Sequence, residues 1–311
     1  MAQDLFPKFD RIDPVYKTLS GVDFPVAVLK PKSSSSNANN NAQQKKRPLL
    51  VHFHGGAHIT GTYLEPAFTP KWVLELALST NAILVSPAYR LIPEATGGDI
   101  MDDLSDFWYW IHDDSLSSHI ANAWPGESQG NEVHLDLNHI AAVGESAGGL
   151  LALQFTFLFS NFNKPGVRIR AVMAQYPSLY PDISAQPPHV PGGPHNEFID
   201  EYIRNIKPGT VRVSSPWPAM LEFLDHMDAV KRYRALLGDD ERLKLGNALR
   251  FFIDNIMVAA ATLGSAGVDP MALVPGFWVL QGEKDHLVSC VCTLYAENRF
   301  RSPFSTGEPG T

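Results

Sequence analysis

Ile140-Ala141-Ala142-Val143-Gly144-Glu145-Ser146-Ala147-Gly148-Gly149 decides how this chain is read. A short apolar run enters Gly-x-Ser-x-Gly, and a long apolar, helix-compatible run from Leu150 to Phe159 follows. A serine between a strand and a helix needs glycines on either side, because the backbone must bend sharply there. The turn would hold Ser146 Oγ exposed at the start of a helix whose first N–H groups can face a developing oxyanion. Such an arrangement serves acyl transfer, with Ser146 as nucleophile. A second match, Gly126-Glu127-Ser128-Gln129-Gly130, lacks that setting. It follows Ala123-Trp124-Pro125 and runs into Asn131-Glu132, so it reads as a surface turn.

Composition bounds the partners. The 311 residues suit one α/β domain with an insertion. Net charge is −8, and the basic block Lys45-Lys46-Arg47 is too small to make nucleic acid or an anionic membrane surface a partner. Cys290 and Cys292 flank one residue, too close for a disulfide framework, and read as reduced thiols on a helix. Met1-Ala2-Gln3-Asp4-Leu5-Phe6-Pro7 lacks a basic region followed by an apolar core, and no apolar run is long enough to span a membrane. These features lead us to expect a cytoplasmic protein; they set no oligomeric state.

Working outward, residues 15–31 suggest two strands, and a low-complexity loop expected to be disordered follows over 32–47, with Ser33 to Asn41 at its centre. Strands are expected at Leu49–Phe53, Ala82–Ser86, Ala171–Tyr176 and Phe277–Gln281, and a strand, elbow and helix at 139–160. A helix from about Ile100 carries Phe107, Trp108, Trp110 and Ile111. Strands alternating with helices imply an α/β fold with a doubly wound, mostly parallel sheet. Residues 182–268 break the pattern. A Pro/Gly-rich run, Pro187 to Pro194, leads into helix-like stretches at 197–206, 218–237 and 241–264, bearing Phe223, Leu224, Phe251, Phe252, Ile253, Ile256 and Met257. An insertion after a central strand lands at the carboxyl end of the sheet, over the site. We read it as a helical cap shaping an apolar pocket; a helical insertion elsewhere is the alternative.

A second constellation, His52-Phe53-His54-Gly55-Gly56-Ala57-His58, follows the strand at 49–53. The N–H groups of Gly55, Gly56 and Ala147 could together form an oxyanion hole. His52, His54 and His58 could instead be metal ligands. No carboxylate accompanies them, and alternation puts His52 and His54 on one strand face, so no metal is expected. In Tyr89-Arg90-Leu91-Ile92-Pro93-Glu94-Ala95, Arg90 and Glu94 read as a buried structural pair. No Gly-x-Gly-x-x-Gly opens a helix after the first strand and no phosphate loop is present, so no nucleotide or flavin cofactor is implied.

His54-Gly55-Gly56-Ala57, Tyr89-Arg90-Leu91-Ile92-Pro93-Glu94 and Gly144-Glu145-Ser146-Ala147-Gly148-Gly149 stand in that order. Together they resemble the hormone-sensitive-lipase-like branch of the α/β-hydrolases (α/β-hydrolase fold-3), which includes carboxylesterases of small esters. The resemblance runs over about residues 48–298 and implies serine ester hydrolysis through an acyl-enzyme on Ser146. Phe and Met in the cap favour an apolar or aromatic group, which with the resemblance gives a small apolar ester as the expected substrate; no residue fixes acyl length or alcohol. Ala57 stands where that family usually has a third glycine. Gly282-Glu283-Lys284-Asp285-His286-Leu287-Val288 is similar to the family's acid loop, which implies Asp285 as the triad acid.

In that family the triad histidine follows the acid by a few tens of residues. The 26 residues beyond Asp285 contain only His286, the acid's immediate neighbour. Residues 299–311 read as neither strand nor helix, so the expectation is a truncated form without the last strand, the histidine loop and the triad histidine. Two alternatives stand beside it. One is a non-catalytic, receptor-like binder of small molecules, for which plant gibberellin receptors are a precedent in the family. In the other, His189, His195 or His226 of the cap supplies the base.

Overall fold

Leu49 to Val51 and Ile83 to Val85 are continuous rather than alternating apolar runs, the pattern of strands covered on both faces. The computed structural model describes residues 2–32, 46–66, 69–125, 133–160, 166–178, 196–215, 238, 240–263 and 274–280. Near the N-terminus, β1 (Phe9–Ile12), β2 (Val15–Leu19) and β3 (Val22–Pro31) form an antiparallel group. The apolar runs become β4 (Arg47–Phe53) and β5 (Ile83–Pro87), followed by β6 (Leu135–Glu145), β7 (Ile169–Gln175) and β8 (Gly276–Leu280). These later strands run parallel to one another, and the sheet order is β1-β3-β5-β4-β6-β7-β8, with β2 on β3. The fold is the α/β, mostly parallel one expected from the sequence.

Helices α1 (Lys71–Thr80), α2 (Gly97–His112), α3 (Ser115–Ala123), α4 (Ala147–Phe159), α5 (Asn196–Asn205) and α6 (Leu245–Leu263) connect or follow the strands. Strand alternation distributes the core. Leu49, Val51 and Phe53 join the cluster under α2 and α4, whereas Leu50 and Leu84 join Val73, Leu74 and Ala77 of α1 on the other face. Phe53, Phe107, Trp108 and Phe155 meet at ring-centroid distances of 5.3–6.4 Å and fill the larger side. Every residue of α4 from Ala147 to Phe157 is buried, so this helix has no solvent stripe.

From β4 the chain passes to β5 on one side, while β6 lies on the other. Loops leaving β4 and β6 in opposite directions open a crevice at their carboxyl ends, where ligands of open α/β sheets bind. β1 escaped the sequence reading because Phe9-Asp10-Arg11-Ile12 is short and half charged; its pairing with the far end of β3, Phe9 opposite Pro31, holds it. Part of the expected cap also sits elsewhere. Ala248, Leu249 and Phe252 of α6 are buried in the main core, with Phe252 5.3 Å from Phe157 of α4, so α6 flanks the sheet. Ser128, Cys290, Cys292, the loop residues 33–45, residues 218–237 and the tail 299–311 lie outside the described residues. Among the described residues, no helix is long and apolar enough to cross a membrane.

Candidate active site

β6 ends at Glu145 and α4 begins at Ala147, leaving Ser146 alone in the bend with φ 52° and ψ −120°. A non-glycine residue persists there only because its surroundings over-determine it. Ser146 N–H donates to Gln175 O at 3.0 Å, and Ser146 O accepts from Gly149 N at 3.0 Å and Ser178 N at 2.9 Å. The backbone is pinned, and the half-buried hydroxyl projects from it. Close approach explains the flanking glycines. A methyl on Gly148 would lie 2.0 Å from Phe53 O, and one on Gly144 would lie 2.2 Å from Gly148 O. The start of α4 is therefore seated directly on the end of β4.

The turn after β4 supplies the facing wall. Gly56, Ala57, His58 and Gly61 all have positive φ, at 101°, 54°, 57° and 105°. Gly56 has no alternative, since a methyl there would lie 2.2 Å from Thr60 O. The turn abuts the elbow: a methyl on Gly55 would lie 3.4 Å from Ser146 Cβ. The structure thus brings Gly55, Gly56, Ser146 and Ala147 into one neighbourhood. The N–H of Gly55, expected as an oxyanion donor, donates to Glu145 Oε1 at 3.0 Å. A buried carboxylate one residue before the serine reaches this donor first. The N–H groups of Gly56, Ala57 and Ala147 have no acceptor among the described residues. Ala57 was not singled out from the sequence, since only the folded turn shows which amide is occupied.

The histidines beneath the site serve separate partners. His52 Nε2 lies 2.9 Å from Glu145 Oε2 and its Nδ1 lies 3.1 Å from Ser86 Oγ. His54 Nδ1 contacts Gly55 O at 2.7 Å, while Tyr89 stacks on its ring at 4.3 Å and donates its hydroxyl to His54 O at 2.7 Å. Burial pushes the His54 imidazole down to about 4 and that of His58 to about 3, so both are neutral at neutral pH. Ser178 was also missed: its Oγ lies 3.3 Å from Ser146 Oγ.

The expected Arg90–Glu94 pair is not formed. Arg90 turns to α2, bonding Asp103 Oδ1 at 2.9 Å and Asp99 Oδ1 at 2.8 Å. Glu94 faces the segment after β7, accepting from Arg212 Nε at 2.8 Å and Tyr202 Oη at 2.6 Å. Both residues are structural, each with partners the sequence did not suggest. Asp285, His286, His189, His195 and His226 lie outside the described residues.

A serine in a strained strand-to-helix bend, with unengaged amides on two adjoining segments, is what an acyl-transfer site requires. Comparison with known proteins agrees, since a profile described as alpha/beta hydrolase fold matches residues 50–218. The chain belongs to the α/β-hydrolase fold family. Among its relatives in sequence is the protein named "Probable carboxylesterase M8" of Phoma sp. (strain ATCC 20986 / MF5453). It is 30% identical over 300 residues, 93% of this chain and 82% of that protein. "Probable carboxylesterase clz11" of Cochliobolus lunatus is 29% identical over 227 residues, 68% of this chain and 89% of that one. A crystal structure from Staphylococcus aureus subsp. aureus Mu50, titled as a protein with unknown function, shares the fold. Its TM-score is 0.50 at 16% identity, covering 93% of this chain and 85% of that chain. This α/β-hydrolase thus stands on a branch shared with carboxylesterases.

Proposed function

We propose that this α/β-hydrolase cleaves small carboxylic esters through an acyl-enzyme on Ser146. The observation that carries the reading is the bend at Ser146, with φ 52° and ψ −120°, set between β6 and the N-terminus of α4. Ser146 Oγ attacks the ester carbonyl and the alcohol leaves; water then attacks the acyl-enzyme and releases the acid. The tetrahedral oxyanion is held by the N–H groups of Gly56 and Ala147, with Ala57 in place of Gly55, whose amide Glu145 occupies. The resemblance implies that a histidine oriented by Asp285 takes the Ser146 proton; the residues after Asp285 offer none but its neighbour His286, so the base is the part of the mechanism that no residue here is assigned to. The reaction as written needs no cofactor. Kinship with carboxylesterases supports the substrate class.

The test is hydrolysis of p-nitrophenyl acetate and butyrate by the full chain beside Ser146→Ala. Loss of the serine is expected to abolish turnover, since the acyl-enzyme cannot form without it. Wild-type turnover in the variant would overturn the assignment.

A further inference from the structure

The turn at 56–61 holds two residues with side chains, Ala57 and His58, in left-handed backbone. Such a conformation needs support from outside the turn. The support comes from residues 211–215, more than 150 positions along the chain. Arg212 Nη1 donates to Ile59 O at 2.7 Å, its Nη2 to Ile92 O at 2.6 Å, and its Nε to Glu94 Oε2 at 2.8 Å. Its own carbonyl accepts from Leu91 N–H at 2.8 Å. Three residues on, Ser215 pairs with Gly61 in both directions, at 2.9 and 3.0 Å, and its carbonyl accepts from Thr60 Oγ at 3.2 Å. Val213 is buried between these anchors beside Phe24 and Ala88.

One guanidinium therefore spans the turn after β4, the Tyr89–Glu94 segment and a carboxylate that is itself 5% exposed. The second oxygen of that carboxylate is taken by Tyr202, whose hydroxyl burial and Glu94 push up to about 12. We infer that Arg212 is a positioning residue, one that fixes the Gly56–Ala57 amides against Ser146 and makes the rate depend on the segment following α5. This rests on the reading of those amides as oxyanion donors. Arg212 itself touches protein groups and has no part in the chemistry. A planar fork is needed: lysine could pair with Glu94 but could not also reach two carbonyls on different segments.

The experiment compares the full wild-type chain with Arg212→Gln, Arg212→Lys and Tyr202→Phe. Turnover of p-nitrophenyl butyrate is measured alongside amide hydrogen exchange over residues 56–61. Arg212→Gln is expected to lower kcat by about 10- to 100-fold, the scale of a misplaced catalytic group. KM should stay within about twofold, since ground-state binding is untouched. Exchange over 56–61 should accelerate. Arg212→Lys should restore neither readout, and Tyr202→Phe should behave like wild type. Wild-type kcat in Arg212→Gln, or unchanged exchange over 56–61, would overturn the inference; if Arg212→Gln does not fold, Arg212→Lys carries both readouts. A wild-type chain that turns over no ester sinks the proposed function instead. Exchange over 56–61 then decides the positioning role alone.

Discussion

Glu145 Oε1 accepts the Gly55 N–H at 3.0 Å, joining the residue before the nucleophile to the first glycine of the turn after β4. The other oxygen holds His52 Nε2 at 2.9 Å, and His52 in turn is tied to Ser86 of β5. One buried carboxylate thereby fixes two loops and two strands. Glu145→Ala leaves an amide and an imidazole nitrogen without their partner, a cost of about 3 kcal/mol. Urea unfolding should show that loss, with turnover falling as well. An alanine variant as stable as wild type would show the link to be idle.

Gly148 has no room for a side chain. With Phe53 O 2.0 Å and His54 O 2.5 Å from an added methyl, Gly148→Ala must lift α4 off the end of β4. We expect a loss of about 3 kcal/mol, at the upper end of overpacking costs. Thermal unfolding checks this, and residual protein should be inactive because Ser146 moves with the helix.

Asp103 is fully buried on α2, where it meets both Lys17 and Arg90. Burial raises its carboxyl above the ordinary range, while the two cations pull the other way. Asp103→Ala would leave Lys17 and Arg90 only their outer partners, Asp106 and Asp99, and breaking such a buried group costs about 3 kcal/mol, the lower end of the range. Asp106, which shares Lys17 but is exposed, gives the contrast: Asp106→Ala should cost about 1 kcal/mol or less. Equal effects in denaturant melts would refute the distinction.

His54 and His58 give stability a pH dependence. Burial lowers both, to about 4 and about 3, from the ordinary 6.5. Below pH 6.5 the unfolded chain takes up protons that the folded chain refuses, so the unfolded state gains. The stability is whole above pH 6.5 and is lost as pH falls towards about 4 for His54 and about 3 for His58. For His54 alone the full effect is roughly 3 kcal/mol. Urea midpoints between pH 8 and 4 should fall with pH, and His54→Gln should flatten the slope.

What could be read from the sequence is what depends on near neighbours. The elbow was legible because strand, glycines and helix adjoin Ser146, and β4 and β5 because their apolar runs are unbroken. The site's long-range contacts were not. Glu94 and Arg212 are 118 positions apart, and Ser178 stands 32 beyond Ser146. Charge alone offered Arg90 as the partner of Glu94, and the intervening bend of the chain overruled it. Gly55 was given a free amide because nothing local marks Glu145 as its acceptor.

The nucleophile's backbone is held from two sides, by Gln175 O at the end of β7 and through the seating of α4 on Phe53 and His54. Those strands pair across long stretches of chain, and non-local pairing forms late in folding. A growing chain that has just completed Gly144–Gly149 still lacks β7, so its serine has no bend to activate it. Reactivity would then arrive with assembly of the sheet, and capture of Ser146 by a phosphonate reagent would time that event during refolding.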